Sequence, residues 1–302
     1  MKTIKPEGGG CRLCPRLCGV RRGAGKRGVC GADDRLIVAR AALHFWEEPP
    51  ISGTRGSGTV FFSNCSLRCS YCQNREISRG KTGKAICVER LAGIFLELQE
   101  QGAHNINLVT PTHYVEQIIE ALDLVHGLQG PLTTPIVYNT GGYELPETIE
   151  MLADHIDIYL TDFKYASAGL AARYSQASDY PDVAFAALRA MVAQCEQYEL
   201  DDDGILKRGV IVRHLLLPGQ LEDSKRVLDR AFEIAGNKVC YSLMSQFTPL
   251  QGAPDSLRQR VAEEEYSELI DFALGLGITN SFMQEGGAAE ESFIPSFDLE
   301  GV

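Results

Sequence analysis

The sequence is short of positive charge and of long apolar runs, and each shortage excludes a class of function. Lys and Arg number 29 against 40 Asp and Glu, a formal net charge of −11. That balance argues against a nucleic-acid partner, because phosphate binding depends on basic side chains releasing counterions. No apolar run approaches the roughly 18 to 20 residues a membrane span needs, and Met1–Gly10 carries no apolar segment of the signal-peptide kind. No membrane partner is therefore expected, and a cytoplasmic location is. Internal repeats and low-complexity tracts are also missing, which removes solenoids and propellers. What is present is a 302-residue chain with 44% hydrophobic residues, enough for a substantial core.

Three regions follow from composition. Residues 1–35 are rich in Gly, Arg and Cys and too poor in apolar side chains to build a core, so a small metal-binding module is expected there. Residues 36–285 alternate short apolar runs with segments of helical period, and 286–302 reads as an irregular tail. The runs Thr59–Ser63, Asn105–Thr110, Pro135–Thr140, Ile156–Asp162, Gly209–Leu217 and Val239–Phe247 have the length and composition of buried strands. Helices are expected at Val88–Gln101, Val115–His126, Pro146–Ala153, Pro181–Glu196, Ser224–Ala235 and Glu263–Leu276. This order implies parallel strands joined by right-handed crossovers. Six units are too few for an eight-fold barrel. The expected fold is α/β, an open partial (β/α)6 barrel with its chemistry at the carboxyl ends of the strands.

Ten cysteines are present, and seven fall in two clusters. In a chain with no export signal, such clusters are more often metal ligands than disulfides. The first strand is followed by Cys65, Cys69 and Cys72 at C-x3-C-x2-C spacing, close enough to hold three corners of one [4Fe–4S] cubane. A structural zinc or electron-transfer site is normally closed by four ligands; three thiolates leave one iron open to a small molecule.

This spacing, with the aromatic Tyr71 before the third cysteine, resembles the signature of the radical S-adenosylmethionine (SAM) superfamily. More narrowly, Thr59-Val60-Phe61-Phe62 and Cys72-Gln73-Asn74-Arg75 resemble the pyruvate formate-lyase activating enzyme family. The likeness continues through Asn139-Thr140-Gly141-Gly142 at the third strand, Asp162-Phe163-Lys164 at the fourth, and Arg213 with Leu217-Pro218-Gly219 at the fifth. The stretch from His44 to Gly53 and the closing Phe293–Asp298 look like an uncharacterised activase-homologue branch. The resemblance implies a cluster that binds SAM at its open iron, cleaves it reductively to a 5′-deoxyadenosyl radical and abstracts a hydrogen atom from substrate. It further implies an electron donor such as flavodoxin or ferredoxin, and a protein or peptide substrate, in an activase a glycyl residue. Tyr71, Asn139, Thr140, Asp162, Lys164, Arg213 and Gln246 would then be cofactor contacts. Two departures stand out. Where the family has Gly-Gly-Glu for the SAM amino group, this chain has Val109-Thr110-Pro111-Thr112-His113, and Gln246 stands where the activase has histidine.

Cys11, Cys14, Cys18 and Cys30 form a second group, C-x2-C-x3-C-x11-C. Four thiolates would close a site for either Zn2+ or an auxiliary [4Fe–4S] cluster, and the spacing does not choose between them. The basic residues around them, Arg12, Arg16, Arg21, Arg22, Lys26 and Arg27, suit either docking an acidic partner or shielding metal-bound thiolates, and the second is expected. Cys87, Cys195 and Cys240 are expected to be buried small hydrophobes. Two alternatives to the activase reading stay open: radical SAM modification of another peptide, nucleoside or small molecule, and a non-catalytic iron–sulfur or zinc protein.

Overall fold

A computed structural model describes residues 10–129, 132–249, 254–283 and 295–302. The expectations placed on residues 1–9 and on the part of the tail before 295 lie outside them. The strands are β1 (Leu36–His44), β2 (Ser57–Phe62), β3 (Lys84–Ile86), β4 (Ile106–Val109), β5 (Ile136–Thr140), β6 (Ile158–Asp162), β7 (Glu199–Leu200), β8 (Leu206–Leu215), β9 (Cys240–Met244) and β10 (Ser281–Met283). The helices are α1 (Pro49–Ser52), α2 (Arg75–Ser78), α3 (Val88–Glu100), α4 (Val115–Gln129), α5 (Pro146–Met151), α6 (Ala168–Ser175), α7 (Tyr180–Gln194), α8 (Leu221–Ala235) and α9 (Glu263–Gly275).

The sheet runs in the order β10, β9, β8, β6, β5, β4, β2, β1, β3, with β7 beside β8. From β2 to β10 along this path every pairing is parallel, whereas β1 is antiparallel to both β2 and β3. The six anticipated strands are all present and adjacent in the anticipated order, as short βα crossovers require. The sheet adds β10 at one edge and the antiparallel pair β1 and β3 at the other. The fold is thus α/β with a mostly parallel, partial-barrel sheet.

Strand periodicity divides the core. Tyr138, Tyr159, Val212 and Tyr241 point to the helices, where α3 contributes Leu91, Ile94, Phe95 and Leu98 at helical spacing. Their strand neighbours Val137, Ile158, Leu160, Ile211 and Cys240 point to the other, concave face and pack with Ile51 of α1. The β1–β2 connection therefore folds back across the sheet and fills the floor of the barrel. It is pinned there because Asn105 Nδ2 donates to Ile51 O (2.7 Å) and Ser57 Oγ donates to Asn105 Oδ1 (2.6 Å). Gly53, at φ +46°, ends α1; a Cβ there would stand 2.4 Å from Ile205 Cδ1 and 2.7 Å from His104 Nε2, so only glycine lets the chain turn back to β2.

Residues 10–35 contain one 3-10 turn, Arg22–Ala24, and no strand. They lie against the barrel through Cys30 and Ala32, which join its apolar core, and through hydrogen bonds. Arg16 donates from Nε to Ser66 O (3.0 Å) and from Nη2 to Ser175 O (3.0 Å), and its guanidinium sits 5.1 Å over the Tyr143 ring. Arg22 Nη1 donates to His113 O (2.5 Å), and Thr148 Oγ1 donates to Leu13 O (3.0 Å). Arg16 and Arg22 thus fasten the segment to backbone carbonyls of the barrel, and against the burial that raises the Cys30 thiol the charge of Arg22 also pulls it down.

Candidate functional site

The cysteine triplet occupies the loop between β2 and α2. Its backbone is forced: Asn64 and Arg68, which immediately precede Cys65 and Cys69, hold φ of +79° and +54°, and Thr110 beyond β4 holds +59°. Left-handed conformations at non-glycine residues are uncommon, and for a β-branched residue such as Thr110 they are outliers, a kind of strain that collects at functional loops. Cys72 N donates to Cys69 O (3.3 Å), and Ser175 Oγ donates to Cys69 Sγ (3.0 Å). Tyr71 turns away from the loop into a buried hydrogen bond with Tyr165, whose hydroxyl donates to it at 2.7 Å.

Cys65, Cys69 and Cys72 all border one cavity of about 150 Å³, together with Thr110, Thr112, Asn139, Thr140 and Glu144. Burial and the neighbouring Cys69 push the Cys65 thiol up to about 12, and the same two causes raise Cys72. Buried thiols that raise one another are poised for a cationic centre, since a bound metal inverts that balance and deprotonates them outright. Among the described residues no three His, Cys, Asp or Glu side chains stand close enough to hold a metal ion as they are, the triplet and the amino-terminal cysteines included. What fits the cofactor the sequence implies is the chemistry of the triplet: three thiols bordering one shared cavity.

Beyond the triplet lies a larger cavity of about 340 Å³, bordered by Cys69, Tyr71, Cys72, Asn139, Asp162, Lys164, Arg213 and Gln246. That size falls in the range of small-molecule sites, roughly 300–1,000 Å³. Its polar wall is built by the register of the sheet: Asp162 pairs with Arg213 across β6 and β8, and Arg213 with Ser242 across β8 and β9. All three belong to the concave face, one layer above the apolar floor. Arg213 Nε donates to Asp162 Oδ1 (2.9 Å) and its Nη2 to Asn139 Oδ1 (2.5 Å), while Lys164 Nζ donates to Asp162 Oδ2 (2.5 Å). Burial pushes the Asp162 carboxyl up, but Lys164 and Arg213 outweigh it and hold it below the usual range. Gly142, at φ +77°, shapes the adjoining turn: a Cβ would stand 2.1 Å from Asp162 O.

Two carboxylates in this wall, Glu47 and Glu48, were not singled out from sequence. Glu47 Oε2 accepts from Arg213 Nη1 (3.3 Å) and its Oε1 from Asn107 Nδ2 (3.0 Å). Both are raised by burial against the pull of Arg213. In a Pro-rich loop two adjacent acids read as a solvated surface. Only the docking of Ile51 into the floor, a tertiary fact, turns them inward.

Thr140 Oγ1 bonds Glu144, a buried carboxyl that burial lifts to about 7 and that also accepts from Thr112 Oγ1 (2.6 Å). The Thr110–His113 segment therefore meets a carboxylate supplied by the next loop. His113 and His214 are buried, their Nε2 and Nδ1 bonded to Ser63 O (2.8 Å) and Phe163 O (2.7 Å). Cys195 and Cys240 are buried as expected, but Cys87 is exposed, because it caps the amino end of α3 instead of packing on it.

The amino-terminal cysteines are brought near one another and near the triplet. Cys18 and Cys30 sulfurs both lie 3.4 Å from where a Cβ at Gly28 would stand, and burial, with Cys30 and Cys11 among its neighbours, pushes Cys14 up to about 12. Cys65 N donates to Cys30 O at 3.4 Å, tying the two loops together.

Among known proteins, the chain is 26% identical over 275 residues to an uncharacterized protein of Methanocaldococcus jannaschii, covering 87% of this chain and 74% of that one. Its fold is similar to that of Streptococcus suis SuiB solved with S-adenosylmethionine, at a TM-score of 0.50 and 15% identity, over 74% of this chain. The chain spans about half of SuiB, 49%. A domain of a pyruvate-formate lyase-activating enzyme from Bacteroides vulgatus matches 57% of this chain and 92% of its own length, with a TM-score of 0.41 and 15% identity. No described helix is long and apolar enough to cross a membrane. A sequence model of the radical SAM superfamily matches residues 59–231, which run from β2 with the cysteine triplet through Asp162, Lys164 and Arg213 into α8, and the chain belongs to that superfamily.

Proposed function

We propose that this chain is a radical SAM enzyme in which Cys65, Cys69 and Cys72 hold a [4Fe–4S] cluster and Asn139, Asp162, Lys164, Arg213 and Gln246 line the SAM site. The observation that carries the reading is the continuity of the three buried thiols with the Asp162–Lys164–Arg213 wall around the two adjoining cavities. Bound there, the cluster and SAM supply one-electron cleavage of the sulfonium and hydrogen-atom abstraction from a substrate. The chain's own part is to leave one iron without a thiolate, to set cationic Lys164 and Arg213 beside the cavity, and to close its floor with Ile51. Carboxylate and ribose groups call for such donors and acceptors. Tyr71, bonded to Tyr165 and bordering the cavity, sets the wall behind Cys72.

We further propose that residues 1–35 form a metal-binding module through Cys11, Cys14, Cys18 and Cys30, and that the reducing electron arrives from a flavodoxin- or ferredoxin-like donor. A protein or peptide substrate, in the manner of the activases the sequence resembles, is the reading we favour. The test begins with anaerobically reconstituted protein. Its reduced cluster signal should shift on adding SAM, and 5′-deoxyadenosine should form. Cys65→Ala, Cys69→Ala or Cys72→Ala should abolish both, while Cys195→Ala should keep them. A signal indifferent to saturating SAM would overturn the reading.

A further inference from the structure

Two cations, Arg213 and Lys164, border the 340 Å³ cavity, and three carboxylates do: Asp162, Glu47 and Glu48. Asp162 takes both cations, with contacts of 2.9 and 2.5 Å. Glu47 shares Arg213 at 3.3 Å and is satisfied further by Asn107. Glu48 is left at 3.9 Å from Arg213 Nε. It is 8% exposed; burial raises the carboxyl and the Ser242 hydroxyl beside it lowers it, yet its Oε2 has no hydrogen-bond partner. A buried carboxylate oxygen without a donor is unfavourable and is tolerated chiefly where a ligand supplies one. His44, Tyr71, Cys69 and Cys72 also border this cavity; burial, and after it the charge of Arg40, lower His44.

The surroundings of Glu48 narrow the ligand's chemistry. The same cavity is bordered by Trp46, Phe61, Tyr71 and Phe247, and Trp46 is 63% exposed, which places it at the mouth. Aromatic faces next to a carboxylate favour an organic cation. A guanidinium binds a carboxylate through two parallel hydrogen bonds and needs both oxygens, whereas one orphaned oxygen suits the point charge of an alkylammonium. The orphan belongs to the residue that precedes α1 on the β1–β2 connection.

We infer that Glu48 anchors a primary ammonium group of the substrate, such as a lysine side chain, inside a partly aromatic pocket closed by Trp46. This deepens the radical SAM reading and rests on it. The probe is Nα-acetyl-lysine methylamide, compared with the same molecule carrying a hydroxyl in place of the ε-ammonium. Each is titrated calorimetrically into reconstituted, SAM-bound protein. The ammonium compound should bind at least about tenfold more tightly, in keeping with one charge-assisted hydrogen bond. Glu48→Gln, which keeps the shape of the side chain, should erase that preference. Equal binding of the two compounds, or no binding by the ammonium compound, overturns the inference without needing any variant. Loss of the SAM-dependent change in the cluster signal in Glu48→Gln would also overturn it, because Glu48 would then serve SAM. If the wild-type signal itself ignores SAM, it is the radical SAM reading that fails, so the two failures are told apart.

Discussion

The residues that decide this site are charged groups held in a layer with little water, where an ion pair broken on one side does more harm than one never made. Arg213 is the case to test. It is the cation that reaches Asp162, Glu47 and Glu48 alike. Arg213→Ala should therefore leave Glu47 and Glu48 without a cation and Asp162 with Lys164 alone, and destabilise the protein by about 3–5 kcal/mol, measured by anaerobic denaturant unfolding. An Arg213→Ala protein within about 1 kcal/mol of wild type would show the network to be solvated. His113 gives a second test, through pH. Burial lowers its pKa from an ordinary 6.5 to about 4. Below pH 6.5 the unfolded chain takes up a proton that the folded chain refuses, so the stability due to a neutral His113 is complete above 6.5 and is lost as pH falls toward 4. The loss is on the order of 3 kcal/mol. Comparing unfolding of wild type and His113→Gln from pH 7.5 to 4.5 isolates it: the gap between them should change in favour of the variant as pH drops, and a constant gap would mean the imidazole titrates normally.

At the scale of elements, what was legible in the sequence was whatever a period announces. The six parallel strands could be read because they are buried on both faces and so form unbroken apolar runs; β2, β4 and β5 are buried at every position. Strand β1 could not. Its register slips between Val38 and Arg40 opposite β2, and this bulge breaks the alternation that marks a strand. The α1 plug was hidden for a different reason: four residues have no period, and their place depends on Asn105 and the sheet beneath. The same holds for the amino-terminal segment, whose arginines read as a charged patch while in the structure Arg16 bonds carbonyls of Ser66, inside the cysteine loop, and of Ser175, at the end of α6. Ser175 also touches the triplet, since its Oγ donates to Cys69 Sγ. Arg16→Met should loosen the segment by about 1.5–3 kcal/mol. The check is limited proteolysis within residues 10–35 of the reconstituted protein, which should become faster while the rest of the chain resists. Unchanged cleavage would mean that the metal at the amino-terminal cysteines, rather than Arg16, holds the segment in place.

For the whole molecule the open question of composition is how many metal centres one chain carries, and the two cysteine groups answer it differently. As proposed, the triplet would leave one coordination position of its cluster free, whereas Cys11, Cys14, Cys18 and Cys30 would close a site completely. Their loops touch, with Cys65 N donating to Cys30 O, so a change in one group reaches the other through backbone as well as through charge. Because the closed site has no exchangeable position, replacing Cys11, Cys14, Cys18 or Cys30 by Ala should lower metal content and thermal stability while leaving a SAM-responsive cluster signal. Replacing a triplet cysteine should do the reverse, removing the SAM response while the amino-terminal metal is retained. Metal analysis of the wild-type protein then names the second centre: about four irons with one zinc indicates a structural zinc, and about eight irons indicates an auxiliary cluster. Four irons without zinc would leave the four amino-terminal thiols unligated. In that outcome the half-buried Cys11 and Cys18 would react with thiol reagents in the folded protein, while Cys14 and Cys30, buried and with their thiols pushed up by that burial, would react far more slowly.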